Sequence, residues 1–281
     1  MREVSNILPY FKNKLKTKFS QREIISLAYI TIENFLGFNR SDCILNANQK
    51  IDKDKRAQII KTVSELRINK PIQYILGITD FYGLRIRVSN SVLIPRPETE
   101  ELVDWIIEGS SGKSNFLDIG TGSGCIIISL NRHLKGNFFG IDISKKALKI
   151  AEKNNQQNQT NVNFYEMDII YDDFPENTFF DVIVSNPPYV LISEKESMKK
   201  NVLDFEPNIA LFVEDNEPLL FYKVIARKAK KILNKEGLLY FEINEKYGSQ
   251  ILDVLSSEGF VNIELKKDIN DKDRMIKAMW K

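Results

Sequence analysis

From its start to about residue 70 the chain repeats apolar positions at three- and four-residue spacing, the period of an amphipathic helix. The clearest piece opens at Ser20-Gln21-Arg22-Glu23, where Ser20 and Glu23 have the spacing of a reciprocal capping box. Ile24, Leu27, Ala28, Phe35 and Leu36 follow on one face, and Gly37 suits the left-handed residue that ends a helix. A second helix is predicted from Asp52 to Arg67, with Ala57, Ile60, Val63 and Leu66 as its apolar face. Pro71 forbids its continuation past Lys70. Residues 71–94 change period: Phe81 to Val88 alternates apolar with basic residues, as a half-exposed strand does, and predicts a β-hairpin. Leu93-Ile94-Pro95-Arg96-Pro97-Glu98-Thr99-Glu100 then leads into a helix carrying Leu102, Val103, Ile106 and Ile107. The prolines fix the helix entrance, and Glu98 and Glu100 suit its positive end.

From residue 115 short apolar runs alternate with helical periods. Strands are predicted over 115–119, 137–141, 162–167, 180–185 and 237–243, and helices over 124–134, 144–155, 218–233 and 245–257. Two further strands, 261–265 and 275–280, have no helix between them and so predict an antiparallel edge. The expected architecture is α/β: a doubly wound, mostly parallel seven-stranded sheet with that antiparallel edge, plus a small helical N-terminal domain. The division expected is a helical docking domain over 1–70, a β-hairpin linker over 71–94 and the sheet domain over 95–281. Residues 191–217, rich in Glu and Lys, read equally as a lid or a solvated connection.

Composition narrows the chemistry. Of 281 residues 43% are hydrophobic and 28% charged, an ordinary globular balance without a run of ~20 apolar residues. The opening Met1-Arg2-Glu3-Val4-Ser5-Asn6 leads into an amphipathic pattern, not an apolar signal core. Two cysteines, Cys43 and Cys125, form no framework of bridges or ligands, so a reducing cytoplasm is the expected home. A single histidine, His133, disfavours His-based triads and metal sites; near a helix end it suits the negative end of the dipole. The net charge of +2 hides an asymmetry: residues 1–75 hold 14 Lys+Arg against 7 Asp+Glu. That basic face is either solvated or turned to an acidic partner.

Candidate chemistry gathers at predicted strand ends, where open α/β sheets bind ligands. Asp118-Ile119-Gly120-Thr121-Gly122-Ser123-Gly124 follows the first strand of the alternating part. Its Gly-x-Gly-x-Gly spacing differs from the dinucleotide fingerprint, and Asp118 would repel a pyrophosphate while suiting a cationic group. Asp142, about 20 residues on, stands where an acid takes a ribose, and Asp168 where one could accept an adenine amino proton. An aminoacyl-like moiety, a ribose and an adenine fit S-adenosyl-L-methionine better than a nicotinamide dinucleotide. Cys125, without a histidine partner, is not expected to be a nucleophile. At the end of the fourth strand, Ser185-Asn186-Pro187-Pro188-Tyr189 forms a stiff corner, since neither proline can continue a ladder. The Asn186 side chain and the Pro187 carbonyl offer two acceptors to a planar NH2 group, and Tyr189 a flat ring.

These features together resemble a known family. The glycine loop, Asp142 and Asn186-Pro187-Pro188-Tyr189 are similar to the amino-group N-methyltransferases of the class I S-adenosylmethionine fold. Lys70 to Gly77, Leu93 to Glu100 and Val184 to Val190 resemble, more narrowly, the peptide-chain release factor glutamine methyltransferases. The resemblance implies methyl transfer from S-adenosyl-L-methionine to the side-chain nitrogen of the glutamine in a Gly-Gly-Gln loop, modulating translation termination. It implies a cofactor site of Gly120, Thr121, Gly122, Ser123, Gly124, Asp142, Asp168, Ile169 and Asn186. It further implies a substrate site of Asn186, Pro187, Pro188 and Tyr189, with Asn186, Pro187 and Tyr189 as the catalytic group and no metal. Ile169 stands where relatives often carry an aromatic residue, so apolar contact replaces stacking. The expected partner is a release factor, bound by a monomer without membrane or direct nucleic acid. The competing readings are an adenine-N6 DNA or guanine-N2 ribosomal RNA methyltransferase, a non-catalytic docking module and a nicotinamide-dependent oxidoreductase.

Overall fold

The structure, a computed structural model, describes all 281 residues, Met1–Lys281. The chain divides into two compact units, Met1–Gly77 with Lys199–Phe205, and Ile78–Met198 with Glu206–Lys281. No helix is long and apolar enough to cross a membrane.

The first unit is built on helices α1 (Ile7–Leu15), α2 (Gln21–Leu36), α3 (Arg40–Leu45), α4 (Lys53–Leu66) and α5 (Ile72–Leu76). The capping box forms as its spacing requires: Ser20 Oγ accepts from the Glu23 N–H, and Glu23 Oε2 accepts from the Ser20 N–H at 2.9 Å. Gly37 ends α2 at a φ of 71°. Ile7, Phe11, Leu15, Ile24, Ala28 and Ile32 bury against Ile59, Val63 and Leu66. The apolar face of α4 keeps the expected Val63 and Leu66 but is completed by Ile59: Ala57 is exposed and Ile60 is 39% exposed. Positions 59, 63 and 66 form one i, i+4, i+7 stripe, and residues 57 and 60 lie to one side of it.

The second unit opens with a hairpin, β1 (Ile78–Phe81) and β2 (Leu84–Arg87). The continuous strand expected over 81–88 is interrupted, because Tyr82 and Gly83 both take positive φ (50° and 72°) and form the two-residue turn. Asn154 holds the hairpin: its side chain accepts from the Arg87 N–H at 2.7 Å and donates to the Arg87 carbonyl at 3.1 Å. Then follow α6 (Pro97–Gly109), β3 (Asn115–Ile119), α7 (Cys125–His133), β4 (Asn137–Asp142), α8 (Lys145–Gln157), β5 (Val162–Glu166) and β6 (Phe180–Ser185). A short strand β7 (Val190–Leu191), helix α9 (Lys200–Leu203, in the first unit) and strand β8 (Phe212–Val213) precede α10 (Leu220–Ile232), β9 (Leu233–Glu242) and α11 (Gly248–Ser257). Strands β10 (Val261–Lys267) and β11 (Asp273–Met279) end the unit.

Seven strands form one sheet in the order β10-β11-β9-β6-β3-β4-β5, parallel except for β11, which runs against both neighbours. From β3 the chain winds outward through β4 and β5, then returns to place β6 on the other side of β3. The carboxyl ends of β3 and β6 thus flank the reversal of strand order, where α/β sheets bind ligands. Their register pairs Ile119 with Ser185, and the buried Ser185 hydroxyl donates to the Ile119 carbonyl at 2.7 Å. Strand β9 is assigned from Leu233, ahead of the expected Gly237, but its regular pairing with β6 begins only at Leu238. Phe180, Ile183, Leu239, Phe241, Ile225 and Ile251 are among the buried side chains that hold helices to the sheet.

Phe164 of β5 closes the far side. A Cβ on Gly140 of β4 would stand 2.7 Å from its ring and 3.1 Å from Thr121 Oγ1. Gly140→Ala should therefore destabilise the fold by overpacking, about 1–3 kcal/mol. Differential scanning calorimetry should show a melting point lowered by several degrees; an unchanged one would mean that the ring relaxes freely.

Candidate active site

A cavity of about 280 Å³ opens at the strand reversal, near the lower end of the size of small-molecule pockets. One wall is the loop between β3 and α7. Gly120, Gly122 and Gly124 take φ of 73°, 57° and 79°, which lets five residues turn from strand to helix. The Gly120 and Thr121 N–H groups both donate to the Ile141 carbonyl, and the Gly122 N–H donates to Asp142 Oδ2 at 2.8 Å. A second N–H, that of Ser144, donates to Asp142 Oδ1 at 2.8 Å and starts α8. Asp142 therefore fixes the loop against the next strand while facing the cavity itself. Burial raises its carboxyl above the usual range, opposed by the Ser144 and Gly122 hydrogen bonds.

Every residue assigned to the cofactor from sequence, Gly120, Thr121, Gly122, Ser123, Gly124, Asp142, Asp168, Ile169 and Asn186, lies on this cavity or on the loop that walls it. Asp168 is held by the Ile170 N–H, which donates to its Oδ1 at 2.8 Å. Ile169 faces the cavity together with Ile143, Met167 and Ile170, an apolar surface for a flat ring. An added Cβ would meet nothing within 4 Å at Gly120, and only a carbonyl oxygen at 4.0 Å at Gly122. The loop thus leaves open the volume that a nucleoside-like group needs, and acids and an apolar shelf line its far end. The donor set fits S-adenosyl-L-methionine.

Asp118 is placed differently from the expectation of a direct cation contact. It lies buried beneath the loop and off the cavity wall. Its Oδ2 accepts from Thr121 Oγ1 at 2.7 Å, whereas Oδ1 is buried without a hydrogen-bond partner. Burial pushes its carboxyl up to about 7. Cys125 faces the cavity, but burial pushes its thiol up to about 12, so no thiolate is available as a nucleophile. His133 ends α7 with Nδ1 2.8 Å from the Ser129 carbonyl and its ring edge-on to Tyr82, far from any reaction chemistry.

A second wall is the corner after β6. Asn186, Pro187 and Pro188 all face the cavity. Neither the Asn186 carboxamide nor the Pro187 carbonyl is hydrogen-bonded to any other group of the chain. Tyr189 is not on the cavity wall in this structure. Its half-buried ring packs on the core, its hydroxyl donates to Glu242 Oε1 at 3.1 Å, and its carbonyl accepts from Asn244 Nδ2 at 3.1 Å. Burial raises its phenol well above the ordinary value.

The Leu93–Glu100 stretch supplies the third wall through Leu93, Pro95, Arg96 and Thr99. Two buried acids anchor it. Arg96 Nη2 donates to Glu206 Oε1 at 2.6 Å, and Thr99 Oγ1 donates to Glu242 Oε2 at 2.6 Å. Residues 191–217 are thereby more than a connection. The Val190 N–H donates to the Leu211 carbonyl, β8 pairs with β7, and Ile209 and Ala210 join the cavity wall. Glu206 and Glu242 went unnoticed in the sequence, because an acid at a strand end or in a polar loop carries no local sign of burial.

Fold and site define a methyltransferase. A family model described as a methyltransferase domain matches residues 110–281, and one described as the PrmC N-terminal domain matches residues 7–77. The release factor glutamine methyltransferase of Flavobacterium psychrophilum is 45% identical, with 99% of each chain covered. That of Bacteroides thetaiotaomicron is 40% identical, covering 98% of this chain and 99% of its own. A crystal structure of a methyltransferase from Pyrococcus furiosus shares the fold at a TM-score of 0.53 and 16% identity, covering 81% of this chain and 98% of that one. The chain belongs to the release factor glutamine methyltransferase family.

Asp118 gives a stability prediction with a definite sign. Its folded carboxyl is held near 7 against an ordinary 3.8, so the folded state keeps a proton that the unfolded state gives up. That contribution is complete below about pH 4 and is lost as pH rises through about 7. Melting curves between about pH 5 and 8 should show Asp118→Asn gaining on the parent as pH rises. Parallel curves would mean that Asp118 titrates normally.

Proposed function

We propose that the chain transfers a methyl group from S-adenosyl-L-methionine to the side-chain amide nitrogen of a release factor glutamine, the one in its Gly-Gly-Gln loop. The observation that carries this reading is the pair of unengaged acceptors, Asn186 and Pro187, on the same cavity as the glycine loop and Asp142. A corner that holds two acceptors free of any partner in the chain, beside a cavity, is matched to a ligand with two donors. A primary amide has them on one nitrogen.

When bound, S-adenosyl-L-methionine supplies a methyl already activated on a sulfonium. The chain's task is alignment. Gly120, Gly122 and Asp142 hold the aminoacyl and ribose side, and Asp168 with Ile169 the adenine side. Asn186 Oδ1 and the Pro187 carbonyl accept the two amide protons and aim the nitrogen along the transfer line. An amide nitrogen is a poor nucleophile, because its lone pair is delocalised into the carbonyl. The same two oxygens favour the positive charge that grows on it, so their interaction strengthens in the transition state. Pro187 and Pro188 keep the oxygens from turning away, and the apolar wall of Leu93, Ile209 and Ala210 excludes water. The N–C bond forms as the S–C bond breaks, leaving a neutral thioether, and the extra proton on the nitrogen passes to solvent. The helical unit, basic over residues 1–75, is the docking element for the protein substrate in this reading.

Methylation of an exocyclic base amino group would use the same two acceptors, and family membership favours the protein amide. Asn186→Ala should lower turnover on release factor by about 100-fold or more, with cofactor affinity changed less than about threefold. Radiolabelled methyl transfer to release factor, DNA and ribosomes, with calorimetry for the cofactor, measures both. Transfer to nucleic acid alone, or a near-normal rate in the variant, overturns the reading.

A further inference from the structure

Glu242 is a buried carboxylate, 1% exposed, to which the reaction as derived gives no task. It ends β9, the strand beside β6, where Ser185 pairs with Phe241. Its two oxygens receive hydroxyls from the two segments that face the substrate side: Thr99 from the start of α6, at 2.6 Å, and Tyr189 from the proline corner, at 3.1 Å. Two residues further on, Asn244 donates to the Tyr189 carbonyl at 3.1 Å. The corner is therefore pinned at both ends. Behind it the Ser185 hydroxyl grips the Ile119 carbonyl, and ahead of it Glu242 and Asn244 grip Tyr189 by ring and main chain. A lone carboxylate in such a place costs several kcal/mol unless paired or well hydrogen-bonded. Burial raises the Glu242 carboxyl above its ordinary value, opposed by the Thr99 hydroxyl, the charge of Arg274 and the Tyr189 hydroxyl. Arg274 spends its own hydrogen bonds on Asp268 and the Ile243 carbonyl, so the hydrogen bonds to Glu242 come from the two hydroxyls. A packing role alone would be met by an apolar residue at lower cost.

We propose that Glu242 is a positioning residue for methyl transfer, acting through the Tyr189 hydroxyl to fix the direction in which Asn186 and Pro187 present their acceptors. The inference rests on the reading of the corner as the amide grip. It adds that the grip is aimed from the neighbouring strand. Proline rigidity sets the shape of the corner, but a stiff piece still pivots about its ends. Tyr189 is one such end. Misplacement of about 1 Å at a reacting group is enough to cost roughly 100-fold in rate.

The test is a double-mutant cycle on the full chain with Glu242→Gln and Tyr189→Phe, using whichever acceptor the parent methylates. Glu242→Gln keeps size and some hydrogen bonding, so it folds where Glu242→Ala could collapse. Each single variant should lower kcat by about 10-fold or more, and the double variant should fall no lower than the weaker single, because both break one linkage. Cofactor affinity should move little, each variant should stay folded at the assay temperature by its melting curve, and deuterium exchange at residues 185–191 should quicken in both singles. Losses in kcat that multiply in the double variant would overturn the proposal. So would a Glu242→Gln defect that lies wholly in cofactor affinity or folding. The amide reading fails separately, if the parent methylates nucleic acid and not release factor. A parent that methylates no acceptor overturns both.

Discussion

The site depends on a reversal in winding. Strands β4 and β5 extend to one side of β3 and β6 returns to the other, so the loop after β3 and the corner after β6 must lie side by side. The register sets their height: Ile119 and Ser185 are partners, and one hydroxyl-to-carbonyl bond ties the last residues of the two strands. The glycine loop and the proline corner therefore emerge at one level without any long-range adjustment. Each remaining feature of the site refines that juxtaposition. Asp142 fastens the loop sideways to β4, Glu242 fastens the corner sideways to β9, and Glu206 fastens the Leu93–Glu100 stretch from the following segment.

Much of this was legible in the residues. The strands over 115–119 and 180–185 have the predicted bounds, and Ser144 caps α8 by accepting from the Ala147 N–H. Short runs of Phe, Ile, Val and Leu between turn residues read as strands when helical periods separate them. The glycine loop and the Asn-Pro-Pro-Tyr corner were legible for a related reason. Both are local devices, a positive-φ turn and a doubled proline, whose shape needs no distant partner.

What stayed hidden depends on distant partners. No spacing rule links Thr99 to Glu242 across 143 positions or Arg96 to Glu206 across 110. The turn at Tyr82-Gly83 was masked because its aromatic residue continued the alternation of the strand pattern. The face of α4 was misassigned in part since Ala57 and Ile60 fit a helical stripe as well as Ile59 does, and only packing against α1 and α2 chooses between them. Tyr189 reads as a stacking surface in isolation. Its hydroxyl partner lies on β9, and the ring packs on the core and not on the cavity wall.

One contact has a wider bearing. The ring of Phe164 sits against both Gly124, at the helix entrance of the glycine loop, and Gly140, in mid-strand, and a Cβ at either would come within 3.3 Å of it. Bulk at one site and bareness at two others are thus a single steric agreement among three elements. A Cβ added at either glycine therefore requires the ring to give way. The entrance of α7 is in this sense also shaped from β5, a strand that contributes no residue to the proposed chemistry.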